Sequence, residues 1–395
     1  MYGGVGAYTS ELLRHLPQEI NVHLVTVRRE IQGMKDKKCY SEEEGFRRNF
    51  NIHYVCSGHD TFFFYFLFQA ACLKKLLSLH KKYKFDVLHT QFPVMPDLLV
   101  QFFRKTRIPT VCTVHSTVET QLESIKRAGS GFFELDRAEK ANLLLFLPLK
   151  LCQHLYLKDI HWFITVSEFV RRRLVESYGF LNEKRIVTIH HGVDTRLYSP
   201  TLNQNDPPLI EDNNRPIVLF TGRFVAKKGP HVLIRAIPKV LECVPDAYFV
   251  FAGGGDFTPY MKLIKQSKIP EESYQYLGYV RSSDMPRLYS LASVYVAPSF
   301  EDSLGIRILE AMSCGKAVVA SKVGGVPEII RSGQNGLLIT PGDVEELAEK
   351  IVMLLEDDAL RKRLAKAGRQ TVLDRFSVDR MARQTAMLYD KILHS

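Results

Sequence analysis

The chain reads as two doubly wound α/β domains in tandem, each a parallel sheet covered by helices on both faces. Three observations predict this. Short apolar segments alternate with amphipathic helical ones along nearly the whole length, which is the rhythm of βαβ units. The alternation stops once, at SPTLNQNDPPLIEDNNRP (199–216), a stretch rich in Pro, Asn and Asp without periodicity, and then restarts. The length, 395 residues, suits two or three domains that each bury a core.

The elements follow in order. MYGGVGAYTSELLRHL opens on glycines and passes into an amphipathic helix with Leu12, Leu13 and Leu16 on one face. INVHLVTV and FNIHYVCS are strands, residues 62–83 a helix, FDVLHTQ a buried strand, residues 97–105 a helix and PTVCTVHS a strand. HWFITVSEF and KRIVTIHHGVD are strands around a basic helix. After the linker come strand PIVLFTGRF, a helix from Gly229, strand AYFVFAGGG, a helix from Thr258 and strand YQYLGYV. A helix over 284–292, strand SVYVAPS, a helix from Leu304 and strands KAVVAS and GLLI complete the second domain. An amphipathic helix over 379–393 ends the chain. The expected divisions are 1–195, 196–375 and 376–395. A glycine loop feeding a helix ordinarily follows a strand, and none precedes this one. The first strand is therefore expected to be missing, leaving an open slot beside INVHLVTV and an N-terminal domain of marginal stability.

Hydrophobic residues at 46% and charged residues at 24% are ordinary for a soluble globular protein and exclude disorder. The net charge of +10 favours acidic partners such as phosphorylated ligands, anionic lipid or nucleic acid, although a basic proteome gives the same balance. The seven cysteines have no C-x-x-C spacing, which speaks against a disulfide framework or a zinc site and for a reducing compartment. The most apolar run, TFFFYFLFQAACL, is shorter than the roughly 20 residues needed to span a bilayer.

In doubly wound sheets ligands bind outside the carboxyl ends of the strands, so the expected site is the cleft between the two sheets. FEDSLGIRILEAMSCG (300–315) sets the carboxylates Asp302 and Glu310 around the turn Ser303-Leu304-Gly305. Asp302 and Ser303 fall where strand gives way to helix, and either can cap it. The first N–H groups, near Leu304, Gly305 and Ile306, then face the cleft and suit a phosphate or a polar ring. Glu310 lies more than a turn in and leans back toward the same edge. Carboxylates grip hydroxyls, so this pattern fits a diphosphate between two hydroxyl-bearing rings, as in a nucleotide sugar. A capping Asp with a solvated Glu explains the same residues. FTGRFVAKKGPHVLIRAI places Arg223 at a strand end and Lys228 before a helix opened by Gly229-Pro230. Arg holds a diphosphate bidentately and Lys as a point charge, and both neutralise a departing nucleoside diphosphate. A solvated basic loop is the plainer reading, and it fits Lys227 better than the Arg223/Lys228 pair.

Four further features are weaker. The 62–83 helix has an aromatic first half, FFFYFLF, followed by Lys74, Lys75, Lys81, Lys82 and, just beyond, Lys84. It reads as an interfacial helix on anionic lipid or as a core helix with a solvated end, and Phe and Leu runs favour the core. FVRRRLVESYG is a second basic patch of the solvated kind. GGVGAY lacks both a preceding strand and a full G-x-G-x-x-G, and His154 and His161 read as core or surface residues.

Taken together, GGVGAYTSELLRHL, FDVLHTQ, PTVCTVHS, TVSEFVRRRLVESYG, IHHGVDTRLYSP, TGRFVAKKGPHVLIRA, FAGGG, YLGYV, APSFEDSLGIRILEAMSCGKAVVASKVGGVPEII and NGLLI resemble one family in order and spacing over nearly the whole chain. It is the retaining GT4-type glycosyltransferases of GT-B fold. The resemblance implies two Rossmann-like domains with the active site in the cleft between them. The acceptor belongs to the first domain and the nucleotide-sugar donor to the second, and the last helix crosses back. It gives Glu310 the ribose hydroxyls, Asp302 the donor sugar and Arg223 and Lys228 the diphosphate. Gly3 and Gly4 let a loop approach the donor phosphates, and His115 lies beside the transferred sugar. Ser303, Leu304 and Gly305 form the donor-binding turn, and backbone near Val280 holds the base. The implied reaction moves a hexosyl group from a UDP-, GDP- or ADP-sugar to a hydroxyl of a lipid, glycan or small molecule, with retention by front-face departure. No metal or cofactor is expected, in keeping with the lack of an Asp-x-Asp motif, and no nucleic acid partner. A cytoplasmic enzyme in peripheral contact with anionic membrane is expected. The chain departs from the pattern at Asp302, where the family usually has Glu, and at His191, where many relatives carry Asn. The missing first strand leaves the positions of Gly3 and Gly4 open. The rival readings are another GT-B activity, such as a sugar-nucleotide epimerase, and a degenerate non-catalytic protein at a membrane.

Overall fold

The computed structural model describes residues 4–29, 50–58, 62–92, 95, 97–102, 106–117, 119–120, 122–123, 144, 146–200, 209–210 and 215–394. In the N-terminal half, α1 (Gly4–His15) leads to β1 (Val22–Arg29), β2 (Phe50–Gly58), α2 (Phe62–Tyr83), β3 (Leu88–Phe92), α3 (Leu98–Phe102) and β4 (Thr110–Val114). Then come α4 (Phe146–Lys158), β5 (Trp162–Thr165), α5 (Glu168–Ser177) and β6 (Ile186–Thr188). All strand pairs are parallel. β3-β4-β5-β6 form one sheet in that order, and β4 and β5 are buried along their whole length, as befits strands covered on both faces. β1 and β2 pair with each other; β1 has no described strand on its other side. Gly4 opens α1 rather than sitting in a loop, because the helical turn already begins there; Gly3 lies outside the described residues, as does most of 199–216.

The C-terminal half runs β7 (Ile217–Thr221), α6 (Pro230–Cys243), β8 (Tyr248–Ala252), α7 (Thr258–Gln266), β9 (Tyr274–Gly278), α8 (Met285–Leu291) and β10 (Val294–Ala297). It continues with α9 (Ile306–Ser313), β11 (Ala317–Ser321), α10 (Val326–Ile329), β12 (Leu337–Ile339), α11 (Val344–Glu356), α12 (Asp358–Arg375) and α13 (Val378–Leu393). The strands form one parallel sheet in the order β12-β11-β10-β7-β8-β9. Alternate residues of β7 serve opposite cores: Ile217 and Leu219 join one apolar cluster, Val218 and Phe220 the other. Strand order reverses between β7 and β10, and such a switch point opens a crevice at the carboxyl ends. α11 and α12 are elements that the segment-by-segment reading does not supply, although Asp343 and Asp357 cap them through their side chains.

α13 packs with the N-terminal domain. Its Val378, Met381, Ala382, Leu388 and Ile392 share a core cluster with Tyr8, Leu12 and Leu16 of α1. The two places where the chain passes between domains touch each other. Val193 N donates to the Phe376 carbonyl at 2.9 Å and Val378 N to the Val193 carbonyl at 3.0 Å. Gly192 permits that approach, since a Cβ there would lie 2.5 Å from the Ser377 oxygen.

Candidate active site

β7 and β10 are adjacent and end at the same crevice, so the segments that follow them meet. Phe300 N donates to the Lys227 carbonyl at 2.8 Å. Gly229, at φ 71°, makes the approach possible, because a Cβ there would lie 1.9 Å from the Pro298 oxygen. On the other side Gly324, at φ 53°, packs on the backbone of Asp302, where a Cβ would come within 1.8 Å of the carbonyl oxygen.

This convergence sets Lys228 Nζ 2.7 Å from Asp302 Oδ2, where it donates to the carboxylate. Burial works against the ammonium, but the carboxylates of Asp302 and Glu301 outweigh it and hold Lys228 above the ordinary lysine value. Burial pushes the Glu301 carboxyl up, with Lys228 opposing. Glu310 is 6% exposed. Its Oε2 accepts from Tyr289 Oη at 2.7 Å and from Arg307 Nη1 at 2.8 Å, as a buried carboxylate requires. The expected cap does not form. α9 begins at Ile306 after Gly305, whose φ of 103° makes it the N-cap, and no side chain caps the helix. Asp302 is engaged with Lys228 instead, and the Ser303 carbonyl accepts from Ser167 Oγ across the cleft at 2.6 Å. Leu304 points into the C-terminal core, and Val280 is half-buried against that core. Arg223 is exposed just past β7.

The N-terminal wall supplies His115, which follows β4. Its Nε2 lies 2.8 Å from Gln91 Oε1, and Tyr8 stands edge-on to its ring at 4.9 Å. Tyr8 also stands edge-on to His191, at 5.2 Å. Burial pushes both histidines down to about 3; the His191 and His89 rings add to this at His115, and Arg307 adds to it at His191. Glu328, at the start of α10, ties the walls together. Its carboxylate accepts from Glu168 N at 2.9 Å and Phe169 N at 2.8 Å, the free amides of the α5 N-terminus, and pairs with His190 Nε2 at 2.9 Å. The sequence analysis missed Tyr8, Tyr289, Arg307 and Glu328 as site residues. Arg307 had a signal, its spacing of three from Glu310 on one helix. Among the described residues, Glu11, His15 and Asp194 are close enough to hold a metal ion. His15 Nδ1 already meets the Glu11 carbonyl at 2.8 Å and Nε2 lies 3.5 Å from Asp194, so an ion pair accounts for the group.

Residues 203–371 match the family model for glycosyl transferases group 1, and residues 2–197 match that for glycosyltransferase family 4. The phosphatidyl-myo-inositol mannosyltransferase of Mycobacterium leprae is 30% identical over 313 residues, 79% of this chain and 75% of that protein. The chain belongs to the glycosyl transferases group 1 family. An uncharacterised glycosyltransferase of Methanocaldococcus jannaschii is 28% identical over 337 residues, 84% of this chain and 82% of that one. The solved sucrose-phosphate synthase from Thermosynechococcus elongatus superposes with a TM-score of 0.78 at 21% identity, covering 99% of this chain and 94% of the other. The fold is thus GT-B, and the protein is a glycosyltransferase.

Neutral His115 and His191 give the glycosyltransferase an acid limit. In the unfolded chain each binds a proton below the ordinary value of 6.5, whereas in the folded protein each does so near 3. The unfolded state therefore holds more protons in that window, and stability falls as pH drops through it, while above 6.5 the contribution is fully present. The melting temperature should decline steadily from neutral pH into acid, and His191→Asn should flatten that decline. An unchanged slope in the variant would mean that His191 is not held neutral.

Proposed function

We propose that this glycosyltransferase moves a hexosyl group from a UDP-, GDP- or ADP-sugar to a hydroxyl of a lipid, glycan or small molecule, with retention at the anomeric carbon and without metal or cofactor. The observation that carries the reading is the Lys228–Asp302 pair at the switch-point crevice, with buried Glu310 joined to the carboxyl end of β7 through Tyr289 and Thr221. Glu310 Oε2 already serves two donors, so ribose hydroxyls meet Oε1. Arg223 and Lys228 take the diphosphate, Asp302 a hydroxyl of the donor sugar, and backbone near Val280 the base. With Gln91 Oε1 accepting from Nε2–H, the neutral His115 ring keeps Nδ1 as an acceptor for another sugar hydroxyl. As the bond from C1 to the phosphate oxygen breaks, charge grows where the two cations stand. The acceptor oxygen bonds C1 on the same face, and its proton passes to the leaving phosphate oxygen.

The reduced state expected of the cysteines and the basic balance support a cytoplasmic enzyme in peripheral contact with anionic membrane; no described helix is long and apolar enough to cross one. A nucleotide-release screen over the three donor classes, with lipid and soluble acceptors, tests the reaction. One class should dominate, the product should keep the donor's anomeric configuration by NMR, and EDTA should not slow it. An inverted product, or no release from any donor, would overturn the reading.

A further inference from the structure

Two sets of contacts across the cleft converge on residues 167–169, where β5 gives way to α5. Ser167 Oγ caps that helix, accepting from Val170 N at 3.1 Å, and donates to the Ser303 carbonyl at 2.6 Å. The next two amides, Glu168 N and Phe169 N, donate to Oε2 and Oε1 of Glu328 at 2.9 and 2.8 Å. First-turn amides of a helix have no partner within it, so a carboxylate from the other domain completes this cap. Burial opposes the charge on Glu328, yet His190 and the two amides outweigh it and hold the carboxyl below its ordinary value.

On the opposite wall Ser303 and Glu328 belong to one piece. Gly325 N donates to the Asp302 carbonyl at 3.0 Å, and Glu328 N to the Gly325 carbonyl at 2.9 Å. The glycines allow the close packing, since a Cβ on Gly324 would lie 1.8 Å from the Asp302 oxygen and one on Gly325 2.3 Å from the Ser303 oxygen. The turn that carries Asp302 and the helix that carries Glu328 therefore move together. The other wall is as firmly built. β4 and β5 are neighbours, and Val166 N donates to the Val114 carbonyl at 3.4 Å, so His115 and Ser167 leave the sheet side by side. We propose that Glu328 and Ser167 are positioning residues for sugar transfer: by docking the donor turn on the start of α5, they set the separation of Asp302 from His115. Two carboxylate oxygens on two successive amides, with a third bond to a backbone carbonyl, define one orientation of the walls. The nucleoside diphosphate is gripped from the C-terminal domain and needs no docking, whereas the chemical step needs both walls in register. The effect on transfer rests on the proposed reaction; the docking does not.

Glu328→Ala removes the docking while sparing the interior of each domain, because the three groups that its carboxylate meets, Glu168 N, Phe169 N and His190 Nε2, all lie in the other domain. It should lower kcat at least about tenfold. The affinity for the nucleoside diphosphate should stay within about twofold, a split that loss of fold would not produce. Glu328→Gln keeps the volume and one acceptor oxygen and should recover part of the rate. A second readout needs no turnover. Of the described cysteines, Cys152 in the N-terminal domain and Cys243 in the C-terminal one are exposed, while Cys72, Cys112 and Cys314 are buried. In a Cys39→Ser/Cys56→Ser background, spin labels on Cys152 and Cys243 report the spacing of the domains with nucleoside diphosphate bound. The distance distribution should be narrow, and Glu328→Ala should broaden or lengthen it. An unchanged distribution would overturn the docking. Full kcat in Glu328→Ala, or an affinity that falls as far as the rate, would overturn the positioning role. A parent chain that turns over no donor, with a distribution that still responds to Glu328→Ala, would support the docking and sink the transfer reading instead.

Discussion

Lys228→Ala is expected to lower the rate of sugar transfer by two to three orders of magnitude, or about 2.7–4 kcal/mol of transition-state stabilisation. Asp302 holds the Lys228 ammonium in place at 2.7 Å before any ligand arrives, so no reorganisation is needed as charge builds on the leaving diphosphate. Removing it also leaves Asp302 and Glu301 without the cation that both depend on, which adds a cost in donor binding. Single-turnover kinetics separates the two, and the larger share should fall on the chemical step. Arg223→Ala should slow the same step, and the double variant should lose less than the sum, because both cations address one group. Full turnover by Lys228→Ala would remove the lysine from the reaction, and strict additivity would mean that the two do not share a ligand.

Glu310→Ala should weaken binding of the nucleoside diphosphate ten- to a hundredfold, about 1.5–3 kcal/mol for the lost charged hydrogen bonds to ribose. The variant also takes from Tyr289 Oη and Arg307 the carboxylate to which both donate, leaving Tyr289 Oη with Thr221 Oγ1, so some loss of melting temperature is expected alongside. Glu310→Gln separates the effects. It keeps the volume and one acceptor oxygen, so it should recover most of the stability and little of the affinity. Calorimetric titration with each nucleoside diphosphate gives the measurement. An affinity that survives both substitutions would leave Glu310 as a structural partner of Tyr289 and Arg307.

Much of this architecture could be read from the chain, and for an identifiable reason. Strands such as IVLFT and YFVFA are buried on both faces, so they appear as unbroken apolar runs between glycine-rich turns. Arg223, Lys228 and Asp302 were legible one by one, because each falls in the segment that follows the carboxyl end of a strand. Their pairing was not. Lys228 and Asp302 are 74 residues apart, and their contact depends on β10 lying beside β7, which strand order alone decides. The cap at α9 was misread because Gly305, at a positive φ, takes the N-cap position, while Asp302 is paired with Lys228. Glu328 escaped notice because its partners belong to the other domain.

The touching crossings at Val193 and Ser377 have a mechanical meaning. Two bodies joined by separate tethers can slide, shear and twist against one another. Two bodies joined where both tethers are hydrogen-bonded at one spot keep little more than a swing about that spot. Opening the cleft then reduces largely to one angle, and contacts far from the pivot, such as Glu328 on the end of α5, sit where the lever arm is long. A rotation about that spot would separate them, and a single distance probe between the two walls would follow it.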